Sequence, residues 1–153
     1  MTFNNSIFIF RRDLRLNDNT GLINALKNSK KVLPIFIFTP EQITSKNEYK
    51  SDNSVQFLME SLDDLDQDLK SNNSKLYYFF GDVITVLKSI IQEINIDTIY
   101  VNQDYTPYSR ERDLKIENFC DKNDIMFNSD EDICLLPINS VKTGNDETYK
   151  VFT

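Results

Sequence analysis

The 153 residues are 40% apolar and 27% charged, an ordinary globular mixture, at a length that suits one domain with a core needing no disulfides. A formal charge of -7, from 24 acidic and 17 basic residues, repels a polyanion, so direct DNA binding by this chain alone is not expected. Histidine and tryptophan are absent, which removes imidazole acid-base chemistry, Ser-His-Asp triads and any relay of electrons through indoles.

Met1–Asn5 has no signal-peptide pattern and no apolar run approaches membrane-spanning length, so a soluble protein of the cytoplasm or nucleus, with no membrane partner, is expected. Ile7-Phe8-Ile9-Phe10 stops abruptly at Arg11, the pattern of a strand buried on both faces. Asp18, Asn19 or Thr20 then caps a helix on which Leu22, Ile23 and Leu26 recur, ending at Asn28 and Ser29. A second strand over Val32–Phe38 closes at Thr39-Pro40, because proline has no N–H to give a ladder. Ser45–Asn53 is polar and aperiodic, a surface loop.

Val55, Leu58, Met59, Leu62, Leu65 and Leu69 predict the longest helix. Its acidic side, including Glu60, Asp63, Asp64, Asp66 and Asp68, reads as a solvated face rather than a metal site. Leu76–Phe80 is the third strand, Gly81-Asp82 its turn and cap, and Val83, Val86, Leu87, Ile90 and Ile91 stripe the next helix. Thr98–Val101 is the fourth strand. A helix around Arg110–Cys120, carrying Leu114, Ile116 and Phe119, leads to a fifth strand at Ile125–Phe127. The alternation predicts an α/β fold: a doubly wound, Rossmann-like five-stranded parallel sheet with helices on both faces. Cys120 and Cys134 read as reduced, buried small hydrophobes rather than a bridge.

Such sheets bind ligands beyond the carboxyl ends of their strands. There the arginines gather, Arg11, Arg12 and Arg15 after the first strand and Arg110 and Arg112 after the fourth, while the lysines are scattered. Two readings follow: the guanidiniums hold an anionic ligand, or Arg12-Asp13 and Arg112-Asp113 pair across the two loops as a brace. The glycines Gly21, Gly81 and Gly144 form neither a G-x-G-x-x-G fingerprint nor a P-loop. Gly21 and Gly81 read instead as turn and cap residues.

The segment Phe10-Arg11-Arg12-Asp13-Leu14-Arg15-Leu16-Asn17-Asp18-Asn19 resembles the signature that opens DNA photolyases and cryptochromes. Pro107-Tyr108-Ser109-Arg110-Glu111-Arg112-Asp113, Leu136-Pro137, Lys142-Thr143-Gly144 and Tyr149-Lys150-Val151-Phe152-Thr153 are similar to later family segments, in order and spacing. The resemblance implies that residues 1–138 are the family's N-terminal antenna-chromophore domain and residues 139–153 the start of its interdomain linker. The FAD-binding helical domain, which repairs pyrimidine dimers in photolyases, would then be missing or on a separate partner chain. On its own this chain is expected to be neither an enzyme nor an FAD binder.

The same resemblance puts Arg12, Phe38, Thr39 and Asp104 at an antenna pigment, a deazaflavin or a folate. Arg11, Asp13, Arg15, Asp18, Asn19, Arg110, Arg112 and Asp113 belong to its structural signature. Thr39 stands where members commonly carry Asp, Thr106 where some deazaflavin binders carry a carboxylate, and Tyr108-Ser109 where the folate type carries Asn-Glu. Two alternatives are a non-catalytic scaffold or remnant with an empty pocket, and a free-standing nucleotide-binding module.

Overall fold

The five strands lie parallel in the order β3-β2-β1-β4-β5, with β1 Phe3–Phe10, β2 Ser29–Phe38, β3 Tyr77–Phe80, β4 Thr98–Asn102 and β5 Met126–Asp130. The helices are α1 Thr20–Asn28, α2 Pro40–Ile43, α3 Asp52–Ser71, α4 Val83–Glu93 and α5 Pro107–Asp121. This computed structural model describes residues 2–45, 47, 48, 50–136 and 140–147.

Successive strand residues face opposite sides, and β1 feeds both sides of the sheet. Ile7 and Ile9 join Ile35, Ile37, Ile99 and Val101 under α4 and α5, which contribute Val86, Leu87, Ile90, Ile116 and Phe119. Phe8 and Phe10 turn the other way, joining Phe36 and Tyr100 beneath Leu22 and Ala25 of α1 and Leu62, Leu65 and Leu69 of α3. The central strands therefore read as continuous apolar runs because each face has its own helical cover. This is the doubly wound arrangement expected from the sequence.

Some boundaries differ from expectation for identifiable reasons. β1 starts at Phe3 because Asp97 Oδ2 accepts from the Asn4 and Asn5 amides, at 2.6 and 3.1 Å, holding a polar stretch in line. The short α2 follows β2 directly, too brief to show any helical period. β5 begins at Met126 and runs through polar Asn128 and Ser129, since it is an edge strand paired with β4 alone. Cys120 is buried, and burial, with Asp121 and Glu117 nearby, pushes its thiol up to about 12. Cys134 corrects the expectation of two buried thiols: it is exposed, in the segment beyond edge strand β5. Both cysteines are free.

Strand order reverses between β1 and β4. The chain leaves β1 for α1 on one face and leaves β4 for α5 on the other, so their carboxyl ends open a crevice in which side chains converge. Among the described residues no helix is long and apolar enough to cross a membrane.

Candidate functional site at the carboxyl rim

β1 runs into Arg11, whose side chain is only 8% exposed. Its Nη1 donates to Asp113 Oδ2 at 2.9 Å, and its Nη2 lies 2.8 Å from Asp113 Oδ1. Burial pulls the Arg11 pKa down and neighbouring Arg112 pulls the same way, while Asp113 opposes both. Arg112 Nε donates to Asp113 Oδ1 at 3.0 Å, so one carboxylate on α5 holds two guanidiniums. The two arginine-bearing segments meet on one rim.

Arg112 and Asp113 pair as sequence neighbours, but the brace between the two segments runs from Arg11 to Asp113 and not through Asp13. Arg12, 71% exposed at its side chain, lies 3.8 Å from Asp104, a loose pair of a kind that contributes little to stability. Asp13 faces inward and pairs with no arginine of the other segment. Its carboxylate accepts from the Arg11 amide at 3.0 Å and from Asn102 Nδ2 at 2.5 Å. A tight turn, closed by Arg15 N–H donating to Asp13 O at 2.7 Å, aims it that way.

Asn19 is the cap of α1, its Oδ1 accepting from the Leu22 amide at 3.1 Å and from Asn102 Nδ2 at 2.8 Å. Arg15 reaches Asp18 at 2.7 Å and Asp132 at 2.8 Å. Asp13, Asn19 and Asn102 thereby tie the first turn of α1 to the end of β4.

Beside this brace, between the starts of α4 and α5, lies a cleft of about 150 Å³ lined by Thr39, Glu41, Asp82, Val83, Tyr108 and Arg112 among others. Gln42 Oε1 accepts from the Thr39 amide at 3.2 Å. Thr39 Oγ1 and Arg112 Nη2 are buried and have no hydrogen-bond partner among the described residues. Unmade hydrogen bonds of this kind cost stability. The Arg112 guanidinium also lies 5.9 Å from the centroid of the Tyr108 ring, and Tyr108 is about half exposed at the mouth. Glu111 and Lys115 pair there at 2.7 Å, which holds the Glu111 carboxyl below and the Lys115 amine above their ordinary values.

The sequence-derived pigment residues divide around the first turns of α5. Thr39 lines the cleft, whereas Asp104 lines a groove on the other side with Arg110, Asp113 and Leu114. Burial works to raise the Asp104 pKa, but the Ser109 hydroxyl, the Thr106 and Tyr105 amides and Arg12 together hold it low. Phe38, expected beside Thr39, turns its ring to the opposite face, because neighbours on a strand alternate. It packs edge-on to Phe36 at 4.8 Å and stacks on Tyr78 at 6.2 Å.

The family model for DNA photolyase matches residues 6–153. The chain belongs to the DNA photolyase family. Cryptochrome-1 of Aedes aegypti is 38% identical over 131 residues, 82% of this chain and 24% of the relative. The deoxyribodipyrimidine photo-lyase of Vibrio cholerae is 30% identical over 94% of this chain and 31% of that protein. Among solved structures, an archaeal photolyase from Sulfolobus tokodaii, described as carrying two FAD molecules and implying a novel light-harvesting cofactor, superposes with a TM-score of 0.85. It is 45% identical, over 91% of this chain and 32% of its own. The chain thus spans about a quarter to a third of these photolyase-family proteins, corresponding to their N-terminal α/β domain.

Three residues at this end escaped the sequence reading. Asn102 had a signal, a polar residue directly at a strand exit beside Asp104. Tyr108 stood within a recognised segment but without an assigned role. Asp132, which closes onto α1 from beyond β5, left no local pattern.

Proposed function

We propose that this chain is the antenna domain of a photolyase or cryptochrome, binding a light-absorbing pigment and serving an FAD-bearing helical domain, either in the same polypeptide or on a separate partner chain. The observation that carries the reading is the pairing of the brace with orphaned polar atoms. Arg11 and Asp113 fix α5 against β1, and Thr39 and Arg112 line the adjoining cleft, with Thr39 Oγ1 and Arg112 Nη2 buried in its wall and left without partners. A heteroaromatic pigment edge carrying hydrogen-bonding groups would satisfy that pair once the cleft wall turns them toward it.

The cleft is smaller than the roughly 300–1,000 Å³ typical of small-molecule sites, so one edge of a polycyclic pigment enters it. The rest would lie over the open mouth near Tyr108. Arg12, exposed on the same rim, is available to an anionic tail. A bound pigment supplies absorption and passes excitation onward; the residues here bind it, orient it and limit water at its inner edge.

Of the two pigments, a deazaflavin is favoured over a folate, because Tyr108-Ser109 replaces the Asn-Glu pair of folate-type relatives. Ser109 is also occupied, its hydroxyl 2.8 Å from Thr106 Oγ1. Absorption spectroscopy of protein purified from its native source tests the proposal. A near-ultraviolet or blue band that stays with the protein is expected. A native protein without such a band, and unable to take up either pigment, would leave a scaffold role instead.

A further inference from the structure

Helix α1 begins where a wound α/β sheet ordinarily receives a nucleotide phosphate, at the carboxyl end of β1 with its amides pointing outward. In this chain each of those amides already has an internal acceptor. Thr20 N–H donates to Asp132 Oδ1 at 2.8 Å, Gly21 N–H to Asn102 Oδ1 at 2.8 Å and Leu22 N–H to Asn19 Oδ1 at 3.1 Å. The other Asp132 oxygen takes Arg15 Nη2 at 2.8 Å, and the Asp132 side chain is only 1% exposed.

The glycine is committed in the same way. A Cβ on Gly21 would come 2.6 Å from Asn102 Oδ1, so the close approach that glycine permits serves a protein side chain, not a ligand. An anion, a guanidinium and a helix N-terminus are all present, and the anion belongs to the chain.

We infer that Asp132 occupies the phosphate position of this fold and excludes phosphate-bearing ligands from the start of α1. The inference refines the pigment proposal without needing it to be correct. A pigment that carries phosphates must keep them off α1, and the free-standing nucleotide-binding reading loses its usual anchor. Removing the carboxylate should convert a closed site into an open one that uses Thr20 N–H and Arg15.

Inorganic phosphate titrated into the ¹⁵N-labelled chain, at constant ionic strength set with chloride, tests this directly. In the native protein the Thr20 amide resonance is expected to stay in place. In Asp132→Ala it should shift saturably, with phosphate affinity raised about tenfold or more over the native chain. Equal shifts in both proteins, or none in the folded variant, would overturn the inference. Should Asp132→Ala not fold, Asp132→Gly decides by the same Thr20 shift, because it too removes the acceptor that occupies the Thr20 amide. Pigment uptake is read separately, so either proposal can fail while the other stands.

Discussion

Arg11 and Asp113 lie 102 positions apart in sequence and meet as a largely buried ion pair where β1 ends against α5, one guanidinium nitrogen hydrogen-bonded at 2.9 Å and the other 2.8 Å from the second carboxylate oxygen without hydrogen-bond geometry. Removing Asp113 alone strands two charges, Arg11 and Arg112, in a desolvated place, whereas removing Arg11 with it strands only Arg112. Asp113→Ala should therefore lower stability to urea by about 3–5 kcal/mol, and the double change Arg11→Met with Asp113→Leu should cost less. A double variant at least as unstable as Asp113→Ala would mean that the pair is not the brace described here.

Gly21 is held to its identity by space. Its missing side chain leaves room for Asn102, which Asp13 and Asn19 lock in place. Gly21→Ala must push that network or Val101 O, 3.2 Å from the new carbon, and should cost about 1–3 kcal/mol in urea unfolding. The change that normally stabilises a helix by better propensity would here do the reverse. A neutral or stabilising result would show that α1 can retreat from β4.

Acid should weaken the clamp on α1. Burial acts to raise the Asp132 pKa, but the bonds from Thr20 and Arg15 outweigh it, and the net shift is downward from 3.8. A carboxylate with a depressed folded-state value stabilises the fold above its unfolded pKa and loses that contribution as pH falls through the folded one. The charged groups at this clamp are Arg15, which stays cationic, and Asp18, which shares it. Unfolding measured from pH 7 downward should show native stability falling more steeply below about pH 4 than that of Asp132→Asn. Parallel curves for the two proteins would remove Asp132 as a contributor.

The thiols should separate cleanly. Cys134 is exposed, while Cys120 is buried with its thiol pushed up to about 12. A thiolate-seeking reagent at neutral pH should modify Cys134 readily and Cys120 only after unfolding, as peptide mass spectrometry can read. Fast modification of Cys120 in the folded protein would contradict its burial.

The sheet was legible where both faces are covered by helices. Ile7-Phe8-Ile9-Phe10 and Val32–Phe38 announce themselves because every residue needs an apolar neighbour, whichever way it points. The ends of the strands were less legible, since Asn4, Asn5, Asn128 and Ser129 are held by pairing and by Asp97 rather than by a hydrophobic pattern.

The rim was legible in its residue types but not in its partners. Five arginines in two segments pointed to a meeting of loops, yet which carboxylate meets which guanidinium depends on a turn at Asp13 and the side of α5 that Asp113 occupies. Phe38 illustrates the same point. A residue adjacent to Thr39 in sequence lies on the opposite face of the sheet, and only the strand's register says so.

The central claim is that this domain itself holds an antenna pigment at the rim. The most direct measurement is a fluorescence titration of the native chain with a deazaflavin chromophore and, separately, a reduced folate, repeated on Arg112→Met, which removes the unpartnered donor buried in the cleft wall. Saturable one-to-one binding of the deazaflavin, weakened in the variant, is the predicted result. Failure of the folded native chain to bind either pigment, or binding that Arg112→Met leaves unchanged, would contradict it.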